Sequence, residues 1–330
     1  MDNTTLTTLA GIMEYAVPIL FAAIGENFIE KSGITNLSVN GAILLTAMAG
    51  FVVALNTGSL LLGFLIGALI GMAVAAVVAF SSITLRQSQV AIGFILATLC
   101  RDLAYFLGAP YNNKPGIFLT KMPIDFLVDI PVIGPIFFNH HILVYASYVF
   151  IILAYFYLYK TRPGLELQGI GERPAAAYNR GVNVNLQRYV YTLVGGALIG
   201  LAGPMYSLAV KIGWSGQLSG LDGVGWIALA ITIFGGWNPL RVAFGAYFFA
   251  GLQQLGITLQ SNTQIPIQIL QAAPFPLMIF TLLLVNIGRA EWVERELAAM
   301  PEKPRVVLSK ILRTIRTSPP ASLGVPFERE

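Results

Sequence analysis

Residues that could do chemistry are few and scattered in this chain. Its histidines are the adjacent His140 and His141, and its single cysteine, Cys100, lies in an apolar run. A metal site needs further ligands at suitable spacing, and neighbouring helical residues point in different directions. The chain contains neither a Gly-x-x-x-x-Gly-Lys-Ser/Thr phosphate loop nor a nucleophile-and-base constellation. The sequence therefore predicts no catalytic residue and no metal site.

One pair of opposite charges lies deep in an apolar stretch. Arg101 and Asp102 fall in the predicted span 88–108, where a charge is costly and by default indicates function. Adjacent helical residues do not face each other, so we expect each to pair with another helix. A structural salt bridge and a solute contact both remain open. A proton relay is not favoured, because Glu14 and Asp222 lie near span ends.

Several amides and indoles near span ends could contact a transported solute. Amides hydrogen-bond and aromatic faces stack, which suits a neutral, ring-shaped polar solute. The alternative for each is structural, with the asparagines capping helices and the tryptophans anchoring at the membrane interface. The candidate solute path comprises Asn36, Asn40, Gln89, Arg101, Trp214, Gln217 and Trp226.

Membrane helices must position these residues. The 330 residues are 56% hydrophobic and 11% charged, whereas about a quarter of the residues in soluble domains are charged. Apolar runs of about 20 residues recur, which is the length a helix needs to cross the bilayer, and they lack the alternation of a β-barrel. The predicted fold class is an all-α polytopic membrane protein with about nine spans, some broken or half-length. The spans are 8–25, 37–56, 59–83, 88–108, 138–159, 189–210, 222–236, 240–259 and 267–287.

One hydrophilic segment, 160–188, interrupts the apolar spans. It contains a short predicted surface helix that begins near Pro174 and ends at Gly181. If this segment is cytosolic, span alternation places sixteen Lys and Arg residues inside and three outside, as the positive-inside rule expects. The N-terminus is then outside and the C-terminus inside. The basic charge therefore reflects membrane orientation, and no nucleic-acid partner is predicted.

The remaining sequence divides into a transmembrane domain and a tail. The domain spans 1–288, with a structured outer loop at 109–137 whose prolines prevent a continuous helix. The tail, 289–330, is predicted to be cytosolic. Within it, 307–316 could form a basic amphipathic helix on membrane lipid or remain solvated. We expect the last dozen residues, which are rich in Ser and Pro, to be disordered.

The two halves of the chain resemble each other. The segment 41–50 can be laid on 225–235, and 83–90 is similar to 257–265. The charge count gives the two copies opposite directions across the membrane. We therefore predict an inverted repeat, which is typical of transporters with a solute path near the midplane.

Four motifs, in this order along the chain, resemble the permease subunits of bacterial ABC importers for nucleosides and simple sugars. These subunits belong to the branched-chain amino acid/ribose-type permease family. They are 25–41 (GENFIEKSGITNLSVNG), the outer-loop segment 129–139, the hydrophilic segment 160–188 and, near the end of the match, 225–240 (GWIALAITIFGGWNPL). The resemblance runs from about residue 10 to 288. Ser38 and Asn40 depart from the Gly and Glu usual in the family.

The resemblance implies a permease subunit without its own ATPase site, in the bacterial inner membrane. It implies a second permease as a homodimer or heterodimer partner, an extracytoplasmic substrate-binding lipoprotein, and an ABC ATPase subunit carrying ATP and Mg. The hydrophilic segment 160–188 would dock on that ATPase through Gly171, Glu172, Arg173, Pro174, Ala175, Ala176, Tyr178 and Gly181. The expected solute is a nucleoside, with a simple sugar or a riboflavin-like compound as alternatives. An ion-coupled secondary transporter working alone is the competing class, and a membrane scaffold is a weaker one.

Overall fold

The computed structural model describes residues 3–260 and 318–328, together with positions 276, 279 and 295. All regular structure in these residues is helical, which confirms the predicted all-α class. The α-helices are α1 (Asn3–Lys31), α2 (Val39–Thr57), α3 (Leu60–Ala79), α4 (Gln89–Gly108), α5 (Asp125–Val128), α6 (Ile133–Phe137), α7 (Ile142–Lys160), α8 (Arg162–Glu172), α9 (Pro174–Asn179), α10 (Val184–Met205), α11 (Val224–Phe234) and α12 (Pro239–Gln260).

Six helical segments in the described residues are long and apolar enough to cross a membrane. They correspond to α1, α2, α3, α4, α7 and α10, with π-helical turns extending α3 and α10. The predicted span 222–236 is short, since α11 has 11 residues. The first span is unbroken, because α1 continues through Pro18. The predicted span 267–287 lies outside the described residues apart from two isolated positions.

The core is formed by α1, α2 and α10, which are the most buried of the six spans. Helices α3 and α10 approach closely through small residues: a Cβ on Gly71 would overlap the backbone of Gly196 and Gly200. Glycine at these contacts lets two backbones pack without intervening side chains. By contrast, α4 and α7 expose apolar side chains along most of their length. Those faces are available for lipid or for another membrane subunit.

The segment between α10 and α11 passes the end of α4 and then the start of α2 before α11 begins. Trp214 packs beside Gly108 near the end of α4, and Gly223 and Gly225 then reach Asn40 at the start of α2. From there α11 continues until Trp237 meets Glu30, near the end of α1. The start of α11 is therefore buried inside the bundle.

The predicted outer loop is structured. It contains α5 and α6, and its backbone is held by the Met122 N–H donating to the His140 carbonyl at 2.8 Å. Farther along, the Leu119 N–H donates to the Leu208 carbonyl at 2.8 Å. The prolines therefore end the helices of this loop but do not leave it without tertiary contacts.

Candidate functional site

The hydrophilic segment folds as two short helices, α8 and α9, between α7 and α10. Thr161 caps α8 by accepting from the Gly164 N–H. The backbone breaks at Arg173 (φ −144°), and Pro174 then begins α9, where a missing N–H costs nothing. Gly181 follows with φ +88°, a conformation that glycine adopts readily. The predicted surface helix and its end at Gly181 are confirmed.

One face of this segment is anchored to the bundle. Leu167 and Ile170 are fully buried, and a Cβ on Gly171 would overlap the carbonyl oxygen of Lys31 at the end of α1. The opposite face is open. The exposed residues there are Glu172, Arg173, Ala175, Ala176, Tyr178, Asn179, Arg180 and Gly181. We call 160–188 the coupling loop, after the role that we propose for it.

Two neighbouring glycines in α8 provide a matched test of this anchoring. We expect Gly171→Ala to push α8 away from α1 and to destabilise the folded protein by about 1–3 kcal/mol, the usual cost of overpacking. Gly169 has nothing within 4 Å of its Cβ position, so Gly169→Ala should stabilise by about 0.5–1 kcal/mol through helix propensity. Thermal unfolding in detergent measures both. Equal effects of the two substitutions would contradict the anchoring.

The described end of the chain packs against the coupling loop. Residues 318–328 contact α8, α9, α10 and the loop between α1 and α2. The Ser322 N–H donates to the Gly171 carbonyl at 2.8 Å, and the Gly324 N–H donates to the Gly33 carbonyl at 2.9 Å. The prediction of disorder was therefore wrong for these residues, because their backbone groups find partners on other elements. The predicted amphipathic helix at 307–316 lies outside the described residues.

A second polar cluster surrounds the buried start of α11. Asn40 Nδ2 donates to Asp222 Oδ1 at 2.7 Å, while Asn40 Oδ1 accepts from the Gly223 and Gly225 N–H groups at 2.8 and 3.2 Å. Tyr105 donates to the other oxygen of Asp222 at 3.3 Å. Asn40 thus satisfies helix-start N–H groups that have no partner within α11.

Arg101 lies beside this cluster and differs from its prediction. Its Nε donates to the neighbouring Asp102 Oδ1 at 3.0 Å, so among the described residues the two pair with each other and not with another helix. Because both side chains are exposed, they can bend along the helix surface until their charged groups meet. The side chains are 39% and 60% exposed, near the middle of α4. Because a charge facing lipid at this depth is costly, this face of α4 is best matched to water or to another polar protein surface.

The other predicted path residues do not form one surface. Asn36 is buried and donates to Glu26, while Gln89 accepts from the Thr35 N–H at 2.7 Å. Trp214 is fully buried and Gln217 is exposed. Trp226 is half-buried, with its ring 5.5 Å from that of Phe94. Arg101 is therefore part of the charged face and Asn40 reaches the neighbouring cluster through Asp222, whereas Asn36 and Gln89 brace the loop between α1 and α2.

The family model described as branched-chain amino acid transport system / permease component matches residues 8–287. This chain belongs to that permease family. The match covers every described helix from α2 to α12 and most of α1. The permease is a multi-pass membrane subunit, and proteins of this kind are not themselves enzymes.

Curated relatives of the permease agree with this assignment. It is 32% identical to a nucleoside ABC transporter permease protein of Lactococcus lactis subsp. cremoris, over 87% of this chain and 94% of that protein. It is 32% identical to a guanosine ABC transporter permease protein of Bacillus subtilis, over 84% and 91%. A glucose ABC transporter permease protein of Haloferax volcanii is 25% identical, over 81% and 76%. No solved structure gave a significant match.

The sequence interpretation missed two buried carboxylates of the permease. Glu26 and Glu30 lie one turn apart on α1 and are almost fully buried. Glu26 accepts from the Asn36 N–H and side-chain amide at 3.3 Å, and Glu30 accepts from the Trp237 indole at 2.5 Å. They were missed because the predicted first span ended at residue 25. Their four-residue spacing beside an apolar run was the available signal.

The two histidines of the permease differ in their surroundings. His140 lies 3.0 Å from Glu14 through Nδ1, and Nε2 is 2.7 Å from the Ile136 carbonyl. Glu14 also pairs with Lys121 at 2.8 Å. Burial lowers the pKa of His141, with Glu14 opposing that shift. The described residues contain no group of three or more His, Cys, Asp or Glu arranged to hold a metal ion.

Proposed function

We propose that the permease is the transmembrane subunit of an ATP-driven importer that carries nucleosides across the inner membrane. The coupling loop carries this proposal, because its open face presents a short helix to water while the opposite face is anchored on α1 and α10. The chain has no phosphate loop, so energy must come from elsewhere. A partner subunit that holds ATP and Mg would supply it.

The ATPase docks on the open face of α9. Ala175 and Ala176 leave room for a cleft to close around the helix, and Arg173 and Arg180 add positive charge on either side. ATP-driven closure of the partner then moves α9 as a lever. Because α8 abuts α1 at Gly171, the movement reaches the helix bundle and switches it between outward-open and inward-open states.

The solute crosses between this permease and a second permease, which is either a copy or a relative. The exposed Arg101–Asp102 pair supports this arrangement, since a water-filled path removes the cost of placing charge at that depth. Phe94, on the same helix as the ion pair, is exposed, and its ring lies 5.5 Å from that of the half-buried Trp226, so the two could stack on a ring of the solute. A nucleobase, or a sugar with several hydroxyl groups, suits this ion pair and these aromatic rings.

A nucleoside is the first choice of solute because two full-length relatives are named for nucleoside and guanosine transport. A simple sugar is the second choice, because another relative is named for glucose. A riboflavin-like solute remains a third. An extracytoplasmic binding lipoprotein would deliver any of them and set most of the selectivity.

The proposed topology has about nine spans, with the N-terminus outside and the C-terminus in the cytosol. Packing of residues 318–328 against the coupling loop supports placing both on the same side. An inverted repeat relating α2 to α11 is part of the proposal. The starts of these two helices meet at Asn40, as expected for repeat copies at a shared interface.

One observation favours the competing ion-coupled transporter. The buried carboxylates Glu26 and Glu30 are residues that such a transporter could protonate. In this fold, however, Asn36 and Trp237 hold them within the packed bundle. We therefore assign them a structural role at the end of α1.

Purification of the complex tests the ATPase partnership. The tagged permease, extracted in mild detergent from its own cells, should retain an ATPase subunit in stoichiometric amount. Mass spectrometry of small molecules released from the co-purified binding lipoprotein should identify a nucleoside. A permease that purifies without any ATPase and transports alone would overturn the proposal, and a sugar on the lipoprotein would select the second solute.

The exposed ion pair gives a prediction about the solute path. Arg101→Gln and Asp102→Asn should each reduce uptake by about tenfold or more, because a hydrogen bond to a charged group contributes about 1.5–3 kcal/mol. ATPase co-purification should not change. Lys114→Gln, which removes an exposed outer-loop cation, is the matched control. Normal uptake by both ion-pair variants would contradict a path along α4.

A further inference from the structure

We propose that residues 318–328 form a permanent strap that ties the coupling loop to the transmembrane helices and carries the ATPase's movement to them. This inference rests on the proposed function, because it assumes that an ATPase moves the coupling loop. The strap lies over the junction of four elements. It contacts α8, α9, the start of α10 and the loop between α1 and α2.

Ser322 is the centre of the strap. Its N–H and its hydroxyl both donate to the Gly171 carbonyl, at 2.8 and 2.6 Å, and its hydroxyl accepts from Arg188 at 3.3 Å. Two residues on, the Gly324 N–H donates to the Gly33 carbonyl at 2.9 Å. One short segment therefore joins the end of α8 to α10 and to the loop that follows α1.

The strap also reaches both ends of α9. Before α9, the Ala321 N–H donates to the Glu172 carboxylate at 3.4 Å. In the last turn of α9, the Tyr178 ring lies 5.6 Å from that of Phe327. Beyond them, Glu328 pairs with Arg86, just before α4, at 2.7 Å. A protein that grips α9 must therefore move the strap together with the helix.

Burial of Arg188 shows why the strap would stay docked. The Arg188 guanidinium is 1% exposed, and its hydrogen bonds within the described residues go to the Val325 carbonyl and to Ser322. Displacing the strap would break both of these hydrogen bonds, and hydrogen bonds from a charged donor are stronger than those between neutral groups. The segment is thus a fixed part of the transmission and not a flap that leaves when the ATPase binds.

A cross-link separates a fixed strap from a removable one. In a Cys100→Ala background, Arg86→Cys with Glu328→Cys can be joined by a short bis-maleimide, since the native side chains are in contact. The complex, purified with its ATPase, is then assayed for nucleoside uptake in proteoliposomes. We expect uptake within twofold of the same variant without reagent. Loss of uptake only after cross-linking would overturn the proposal, and the two single-cysteine variants control for the reagent.

A second variant tests whether the strap transmits movement. Replacing 319–328 by a Gly/Ser segment of equal length should lower solute transported per ATP hydrolysed at least tenfold while the ATPase still co-purifies. Unchanged transport per ATP would overturn the strap. Failure of the unmodified permease to retain an ATPase would instead reject the proposed function. If the replacement loosens the fold, the cross-linking result still decides.

Discussion

One alanine inserted between Ala175 and Ala176 should abolish ATP-driven uptake while leaving the helix bundle folded. An inserted residue turns the remainder of α9 by about 100° and advances it by about 1.5 Å, so Tyr178 no longer faces the same surface. Most of α9 is exposed, and the packing lost is that of Ala177 in a small cluster with Ile170 and Val184, separate from the main core. Uptake should fall about a hundredfold or more, since small misplacements of a positioned group cost that much.

The control for this insertion is one alanine placed after Gly58, in the exposed turn between α2 and α3. Nothing lies within 4 Å of the Gly58 Cβ position, and the turn is at the opposite end of α2 from the loop that joins α1 to α2. That variant should transport normally. ATPase activity of the purified complex, measured with and without binding lipoprotein, should lose its stimulation only in the α9 variant. Normal uptake by the α9 insertion would mean that the loop does not couple the two subunits.

Replacing Asn40 by alanine should give the second large effect. The substitution removes the acceptor for two buried N–H groups at the start of α11 and the donor to Asp222. Each buried group left unsatisfied costs about 1–3 kcal/mol. The start of α11 should loosen, and we expect a lower thermal unfolding midpoint together with at least about tenfold weaker uptake.

Asp222→Asn is the companion variant. It keeps an oxygen that can accept from Asn40 but removes the negative charge, so stability should stay close to that of the native permease. Its uptake then reports whether the charge itself matters to the solute. An Asn40→Ala variant as stable as the native permease would show that the amide is not needed to hold α11.

Much of the architecture could be predicted from sequence because bilayer thickness fixes the length of an apolar helix. Six of the predicted spans correspond to helices that are long and apolar enough to cross a membrane, while 240–259 coincides with α12 and 222–236 contains the short α11. The coupling loop was also predictable. Pro174 and Gly181 specify where a short helix begins and ends irrespective of tertiary contacts.

The predictions that failed concern which side-chain and backbone groups contact each other in the folded protein. Arg101 and Asp102 pair because both side chains are exposed and can bend along the helix surface, a choice that spacing alone does not reveal. Residues 318–328 are polar and rich in turn-forming types, yet Gly171, Gly33 and Arg188 supply partners for their backbone. Similarly, α1 extends past residue 25 because Asn36 and Trp237 accommodate its carboxylates.

Uptake of radiolabelled nucleoside into proteoliposomes tests the central claim most directly. The vesicles contain the permease with its co-purified ATPase, the ATP is supplied on the coupling-loop side, and ionophores collapse every ion gradient. The account predicts uptake that requires ATP and the binding lipoprotein and that continues with the ionophores present. Uptake by the permease alone, driven by an ion gradient and stopped by ionophores, would contradict it.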